Sequence, residues 1–261
     1  MTHPSYGELR TVTPLASVLL ERNPGMMTLE GTNTWVLRAP GVEECVVVDP
    51  GEDDEEHLRR VAEAGPIALV LITHHHHDHV GGARRLADRT GAPVRAIDPA
   101  LTIGAEPFVG GEVITAAGVE LQVVTTPGHT SDSVSFLLDG PDAPQAVLTG
   151  DTILGRGTTV IAHPDGSLGP YLDSLRLLAG LPDGTPVLPG HGPELPDAAA
   201  VAGMYLAHRE QRLDQVRGAL TKLGADATPV EVVELVYADV DRSLWPAAEL
   251  SVRAQLEHLR G

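Results

Sequence analysis

The densest chemistry in the chain is Thr73-His74-His75-His76-His77-Asp78-His79, five imidazoles and a carboxylate in one short run. Neutral imidazole and carboxylate are ligands that suit zinc, and also iron or manganese. In an extended loop, side chains two apart point the same way, so His74 and His76 can grip one metal together. Asp78 and His79 then turn toward a second site beside it. The run is not a tag or a low-complexity tract, because it is internal and is broken by Asp78. It also sits between the apolar stretch Ile67-Ala68-Leu69-Val70-Leu71-Ile72 and the pair Gly81-Gly82.

Three more stretches repeat one punctuation. Thr126-Pro127-Gly128-His129-Thr130, Thr149-Gly150-Asp151 and Pro189-Gly190-His191-Gly192 each follow an apolar run and end it with a potential ligand. The small residues allow sharp turns and close approach of the backbone. A lone loop histidine is usually solvated. Together with the histidine run, these turns supply seven ligand residues (His74, His76, Asp78, His79, His129, Asp151 and His191), enough for two metal ions sharing a bridging carboxylate.

The elements that must carry these residues read as strands with a few helices. Strands are expected over residues 12–22, 31–37, 45–48, 67–72, 93–96, 119–124, 134–138, 146–148 and 186–188, with a turn at 139–145. Asp53 or Asp54 can cap a helix running to about Ala64, and Gly65-Pro66 stops it. Short helices are expected over 81–90 and 171–181, and residues 98–118 read as loop with short strands. After Pro196 the composition shifts: residues 197–223, 229–237 and 247–259 have helical periodicity. The expected division is a metal-binding domain, 1–196, and a small helical appendage, 197–261.

Composition sets outer bounds. At 261 residues with 42% hydrophobic and 21% charged residues, this is an ordinary globular chain with room for one large core and an appendage. Cys45 is the single cysteine, which excludes an intramolecular disulfide framework and makes the cytoplasm the default compartment. Neither a membrane span nor a signal peptide is expected. Of the net charge of -18, residues 1–196 carry -15. Such a surface repels polyanions and weakens any case for broad nucleic-acid binding.

The ligand pattern resembles that of the metallo-β-lactamase superfamily over about residues 12–192. The resemblance implies an α/β fold, a four-layer αβ/βα sandwich with two central mixed sheets and a dinuclear zinc site at one edge. It further implies that His74, His76 and His129 hold the first metal, that Asp78, His79 and His191 hold the second, and that Asp151 bridges them. Asp49 would orient the histidine loop from behind, and His75 and His77 would fall at variable, exposed positions. Two close dications imply a hydroxide nucleophile held between them, with no Ser or Cys nucleophile needed. Asp78 and Asp151 are the carboxylates nearest that chemistry.

A closer resemblance, to the β-lactamase-like protein 2 group, rests on Gly31-Thr32-Asn33-Thr34, the 126–130 turn, Gly150-Asp151 through Gly157-Thr158-Thr159-Val160, 189–193, Tyr171 to Leu175, His208-Arg209 and the tail. It implies a winged-helix-like C-terminal domain and offers two substrate classes, single-stranded RNA for an endoribonuclease or a small ester or thioester for an acyl hydrolase of thioesterase or glyoxalase II type. His75 stands where that group usually has Trp, and the acidic surface suits RNA poorly, so the departures weigh on the RNase reading. A one-iron sulfur dioxygenase and a non-catalytic winged-helix regulator are lesser alternatives.

Outside the ligands, Asn33, Arg156, His163 and Tyr171 are candidate substrate-binding residues. Arg156, just after Asp151, can hold a phosphate or carboxylate by paired hydrogen bonds. His163 is a candidate general acid in the 161–170 loop, which could form a pocket wall. His208 and Arg209 are expected to face the site. His3, His57 and His258 are assigned to solvent. The apolar stripes of the tail would serve as core or as a homodimer contact.

Overall fold

The computed structural model describes residues 6–138 and 144–260. His3 and most of the expected 139–145 turn therefore lie outside the described residues.

The strands alternate their side chains between two apolar environments, and this forces a layered fold. In chain order the first sheet takes β1 (Arg10–Thr11), β2 (Ala16–Leu20), β3 (Asn33–Leu37), β4 (Cys45–Val48), β5 (Ile67–Leu71) and β6 (Val94–Arg95). These six are neighbours in the same order; β1 to β4 run antiparallel, and β4, β5 and β6 are parallel. The helices α1 (Glu55–Glu63), α2 (His77–Val80) and α3 (Ala83–Thr90) fall within this half.

The second sheet contains β7 (Val113–Ala116), β8 (Val119–Thr125), β9 (Val134–Leu138), β10 (Ala146–Gly150) and β11 (Val187–Pro189), with helix α4 (Leu168–Ala179) inserted before β11. Its order is β11-β10-β9-β8-β7, with only β10 and β11 parallel. Residues Val46 and Val48 of β4 point at the other sheet, while Cys45 and Val47 point at α1 and α3. In the second sheet Ala146 and Leu148 face inward, and Val147 faces α4. Strands buried on both faces are continuous apolar runs, as these are. The result is helix, sheet, sheet, helix: the expected four-layer α/β sandwich. Cys45 is wholly buried in the core.

Helix boundaries follow local chemistry. Asp54 caps α1 by accepting a hydrogen bond from the His57 amide. Helix α4 begins three residues earlier than its periodicity predicts, because Gly169 and Pro170 occupy its first turn, where a missing N–H costs nothing. The tail forms α5 (Ala198–Leu223), α6 (Pro229–Val236) and α7 (Trp245–Arg260). Thr228 and Glu231 close a capping box on α6. Helix α5 bridges two cores: Val201, Ala202 and Tyr205 pack with α4, and Val216 and Ala219 pack with α6 and α7. The apolar stripes of the tail are thus largely core, including Val232, Val233, Val252 and Leu256. Among the described residues, no helix is long and apolar enough to cross a membrane.

Candidate metal centre

The strand ends meet along one edge of the sandwich. Asp49 follows β4, the histidine run follows β5, His129 lies between β8 and β9, and Asp151 and His191 follow β10 and β11. The two sheets are tied together here. The Asn33 amide donates to the Gly190 carbonyl at 2.8 Å, and Thr32 bridges His191. Gly190 is required for close approach: a Cβ there would lie 2.5 Å from Asp151 Oδ1 and 2.7 Å from His79 Cε1.

The histidine run differs from a simple extended loop in its second half. Residues up to His76 are extended, and His74 and His76 do share a side. The one-turn helix α2 then swings Asp78 and His79 toward His191. Helix α3 starts only after the Gly81-Gly82 break.

Two groups result, His74–His76–His129 and Asp78–His79–His191, with Asp151 near His74, His79, His129 and His191. His76 Nδ1 lies 3.2 Å from His74 Nε2 and 3.1 Å from His129 Nε2. His79 Nε2 and His191 Nε2 are 3.2 Å apart, and Asp78 Oδ2 is 3.1 Å from His191 Nε2. Asp151 Oδ2 is 3.4 Å from His191 Nε2 and 3.7 Å from His129 Nε2, while Asp151 Oδ1, although buried, makes no hydrogen bond.

The back of each ring fixes its tautomer. His79 Nδ1 faces Asp49 Oδ2 at 2.8 Å, His129 Nδ1 faces the Val160 carbonyl at 2.6 Å, and His191 Nδ1 faces the Gly31 carbonyl at 3.1 Å. These oxygens only accept, so Nδ1 must carry the proton in each neutral ring. His74 Nδ1 faces Thr73 Oγ1 at 3.0 Å, and that hydroxyl has its own proton committed to Asp49 Oδ2 at 2.7 Å. The Nε2 lone pairs of four rings therefore point into one small space shared with two carboxylates. Lone pairs at about 3.2 Å repel unless a cation sits among them. Zinc bonds of about 2.0–2.2 Å give a tetrahedral edge of about 3.4 Å, which these spacings match. The donor set fits divalent metal.

Electrostatics favour the same conclusion. Burial, with neighbouring histidines adding to it, pushes His74 well below its ordinary value and His76 down to about 4. Burial likewise lowers His129. These rings are held as neutral ligands. Burial also opposes charge on Asp151 and Asp78, yet His191 and His79 hold Asp151 well below the carboxylate range and Asp78 at about 2. Against the same desolvation, Asp151 raises both His79 and His191. The Asp78–His79–His191 end of the cavity calls for positive charge, which a dication supplies.

Other expected site residues are placed differently. Tyr171 is wholly buried and its hydroxyl donates to the Thr152 carbonyl at 2.8 Å, so it braces the loop after Asp151 and cannot touch substrate. Asn33, 6% exposed, donates to the Pro189 and Gly192 carbonyls and holds the His191 turn rather than substrate. His163 lines a separate cavity with Pro246, Glu249 and Arg253, away from the seven clustered residues. Its Nδ1 is 3.4 Å from Glu257. The wall that residues 161–170 were expected to form comes instead from 154–160. Arg156 lines the cavity at the cluster but is paired with Glu30. His75 and His77 are exposed, and His75 pairs with Asp132 at 2.8 Å. His57 is not solvated: it is 5% exposed, with Nε2 2.9 Å from Thr34 Oγ1. His258 is exposed.

Several supports escaped the sequence reading. Thr73 gives both its amide and its hydroxyl to Asp49. Thr159 donates to the Asp151 carbonyl; Arg209, expected to face the site, is instead buried beneath it, stacked over Tyr171 and donating to the Thr159 carbonyl. A cavity of about 290 Å³ opens beside His129 and Asp151, walled by Met26, Met27, Leu29, Leu154, Leu244 and Ala247. An adjacent pair of methionines after a Pro-Gly turn was the one signal in the sequence that could have pointed to that wall.

Histidines and carboxylates converging at the joint edge of a four-layer α/β sandwich define a metal-dependent hydrolase. The chain belongs to the metallo-β-lactamase superfamily, whose family model matches residues 27–191, and a β-lactamase-associated winged helix domain matches residues 228–260. It is 31% identical over 262 residues to a β-lactamase-like protein 2 homolog of Drosophila melanogaster, spanning 92% of this chain and 86% of that one. It is 30% identical to an atrochrysone carboxyl ACP thioesterase of Aspergillus fumigatus, over 93% of this chain and 81% of the relative. The crystal structure of a β-lactamase domain protein from Burkholderia ambifaria superposes with a TM-score of 0.78 at 22% identity, covering 99% of this chain and 89% of the other.

Proposed function

We propose that this hydrolase cleaves acyl thioesters or closely related esters, with a bulky apolar acyl group seated beside the metal centre. The observation that carries this reading is the cavity wall. Met26, Met27, Leu29, Leu154, Leu244 and Ala247 present apolar surface directly beside His129 and Asp151. RNA would be better served by basic side chains and stacking aromatics at that position, and the chain carries a net charge of -18. A relative described as an acyl carrier thioesterase adds support.

In this reading His74, His76 and His129 would hold one zinc ion and Asp78, His79 and His191 a second, with Asp151 in reach of both groups; iron or manganese would suit the same donors. Bound there, the ions supply an activated water and polarise the substrate carbonyl. The chain's own residues supply alignment and shape. Asp49, Val160, Gly31 and Thr73 hold the rings in their working tautomers, and the apolar wall offers contact surface to the acyl half. We assign catalysis to residues 1–196 and treat residues 197–261 as an appendage that lends Leu244 and Ala247 to the substrate cavity.

A series of thioesters differing by one methylene in the acyl chain tests the reading. Burying a methylene contributes about 0.8 kcal/mol, so kcat/KM should rise roughly fourfold per carbon until the cavity fills. A flat series would sink the proposal. So would RNA cleavage that is lost in Asp151→Ala, if the protein turns over no thioester.

A further inference from the structure

A second cavity, of about 200 Å³, lies between the Thr158–Val160 segment and helices α5 and α7. It shares Thr158, Thr159, Val160, Leu244 and Ala247 with the apolar cavity at the metal centre, so the two adjoin. Its chemistry is different. His208, Arg209 and Arg212 line it together with Tyr237, in a chain that is otherwise strongly acidic.

Neither guanidinium is spent on a carboxylate. Several exposed arginines are paired with carboxylates, as Arg85 is with Asp53 and Glu55, and Arg176 with Asp173. Among the described residues, none of His208, Arg209 and Arg212 has a carboxylate partner. Arg209 is only 4% exposed, yet its Nε is buried without a hydrogen-bond partner, and so is His208 Nδ1. Arg212 is held in place by stacking over Tyr237 at 4.6 Å. Burial lowers the pKa of His208, and Arg209 and Arg212 add to it, which reflects how close the three lie. Buried donors left without acceptors in a basic cavity suit an anion that can accept several hydrogen bonds at once.

We propose that His208, Arg209 and Arg212 form the recognition site for a phosphate carried on the thiol half of the substrate, as in a phosphopantetheine arm. The inference rests on the acyl thioesterase reading and adds the leaving group to it. The acyl chain occupies the apolar cavity, the thioester lies at the metal centre, and the arm runs past Thr158–Val160 to place its phosphate beside Arg209, Arg212 and the His208 ring. Hydrolysis adds water across the C–S bond: hydroxide goes to the acyl carbon, one proton goes to the departing sulfur to give a free thiol on the anchored arm, and the new carboxylic acid in the apolar half releases its proton to solvent as it becomes a carboxylate. Free coenzyme A and an acyl carrier protein both present this chemistry.

Calorimetry on the full, metal-loaded chain with phosphopantetheine and with pantetheine tests the site without relying on turnover. Charge-assisted hydrogen bonds predict at least about tenfold tighter binding of the phosphorylated arm. Arg212→Gln and His208→Gln should each narrow that ratio severalfold; Arg209 is left intact because it also holds the Thr159 carbonyl. In turnover, the same variants should narrow the kcat/KM ratio between an acyl-phosphopantetheine and its phosphate-free N-acetylcysteamine analogue. Equal binding of the two arms, or a ratio untouched by both variants, overturns the site. Thioester turnover with no phosphate preference would leave the hydrolase reading standing without it. A phosphate preference that depends on Arg212, without turnover, would sink the hydrolase reading and keep the anion site. Tighter binding of coenzyme A than of the bare arm supports the site with the free cofactor as source; tighter binding of a holo-acyl carrier protein supports it with the carrier-borne arm.

Discussion

Asp49 Oδ2 stands 2.8 Å from His79 Nδ1, and the same carboxylate takes the amide and hydroxyl of Thr73 at 2.8 and 2.7 Å. One buried side chain thus fixes both the start of the histidine loop and the ring that closes its end. Asp49→Asn cannot accept at both oxygens and would present an NH2 to one of these donors. Loss of such a supporting partner weakens metal binding about 10- to 100-fold. Chelator competition should show that loss at the Asp78–His79–His191 group, with a smaller change at the His74–His76–His129 group. Unchanged affinity at both would mean that Asp49 does not orient His79.

Gly190 gives a steric prediction. An added methyl would sit 2.5 Å from Asp151 Oδ1 and 2.7 Å from the His79 ring, neither of which can retreat far in a packed interior. Gly190→Ala should fold, since the clash falls on side chains at the site, but should bind metal at least about tenfold more weakly and lose activity with it. Circular dichroism and metal analysis on one sample separate the two effects.

His57 predicts a pH dependence of stability. Burial lowers its pKa to about 4, from the ordinary histidine value of about 6.5. Below pH 6.5 the unfolded chain takes up a proton that the folded chain refuses. This group therefore costs stability progressively as pH falls from 6.5 toward 4, and adds no further loss below that. Between pH 7 and pH 5 the loss from this residue is about 2 kcal/mol. In denaturant titrations His57→Gln should show a shallower decline than the parent over that interval. Parallel declines would place the acid sensitivity elsewhere.

Much of the fold and the cluster could be read from the chain because both are written locally. An apolar run buried on both faces, ended by Pro-Gly-His or Gly-Asp, states its strand and its ligand within about eight residues, and β4 and β9 fall at their expected residues. The one-turn helix α2 was hidden because four residues carry no helical period. Roles set by distant partners were not legible. Asn33 reads as a strand-end amide free for substrate until the Pro189 carbonyl, 156 residues away, is brought to it. Tyr171 and His57 are polar residues whose burial depends on Thr152 and Thr34 being packed over them. The substrate cavity joins Met26 to Leu244, a pairing that no local pattern announces.

The most direct test of the account is the number of divalent ions per chain, by plasma mass spectrometry, in the parent and in Asp151→Ala, read beside thioester hydrolysis on the same samples. The account predicts about two ions in the parent. In the variant it predicts the loss of at least one ion, with a fall of more than about a hundredfold in kcat/KM. One ion in an active parent, or full activity in Asp151→Ala, would contradict a paired metal centre joined at Asp151.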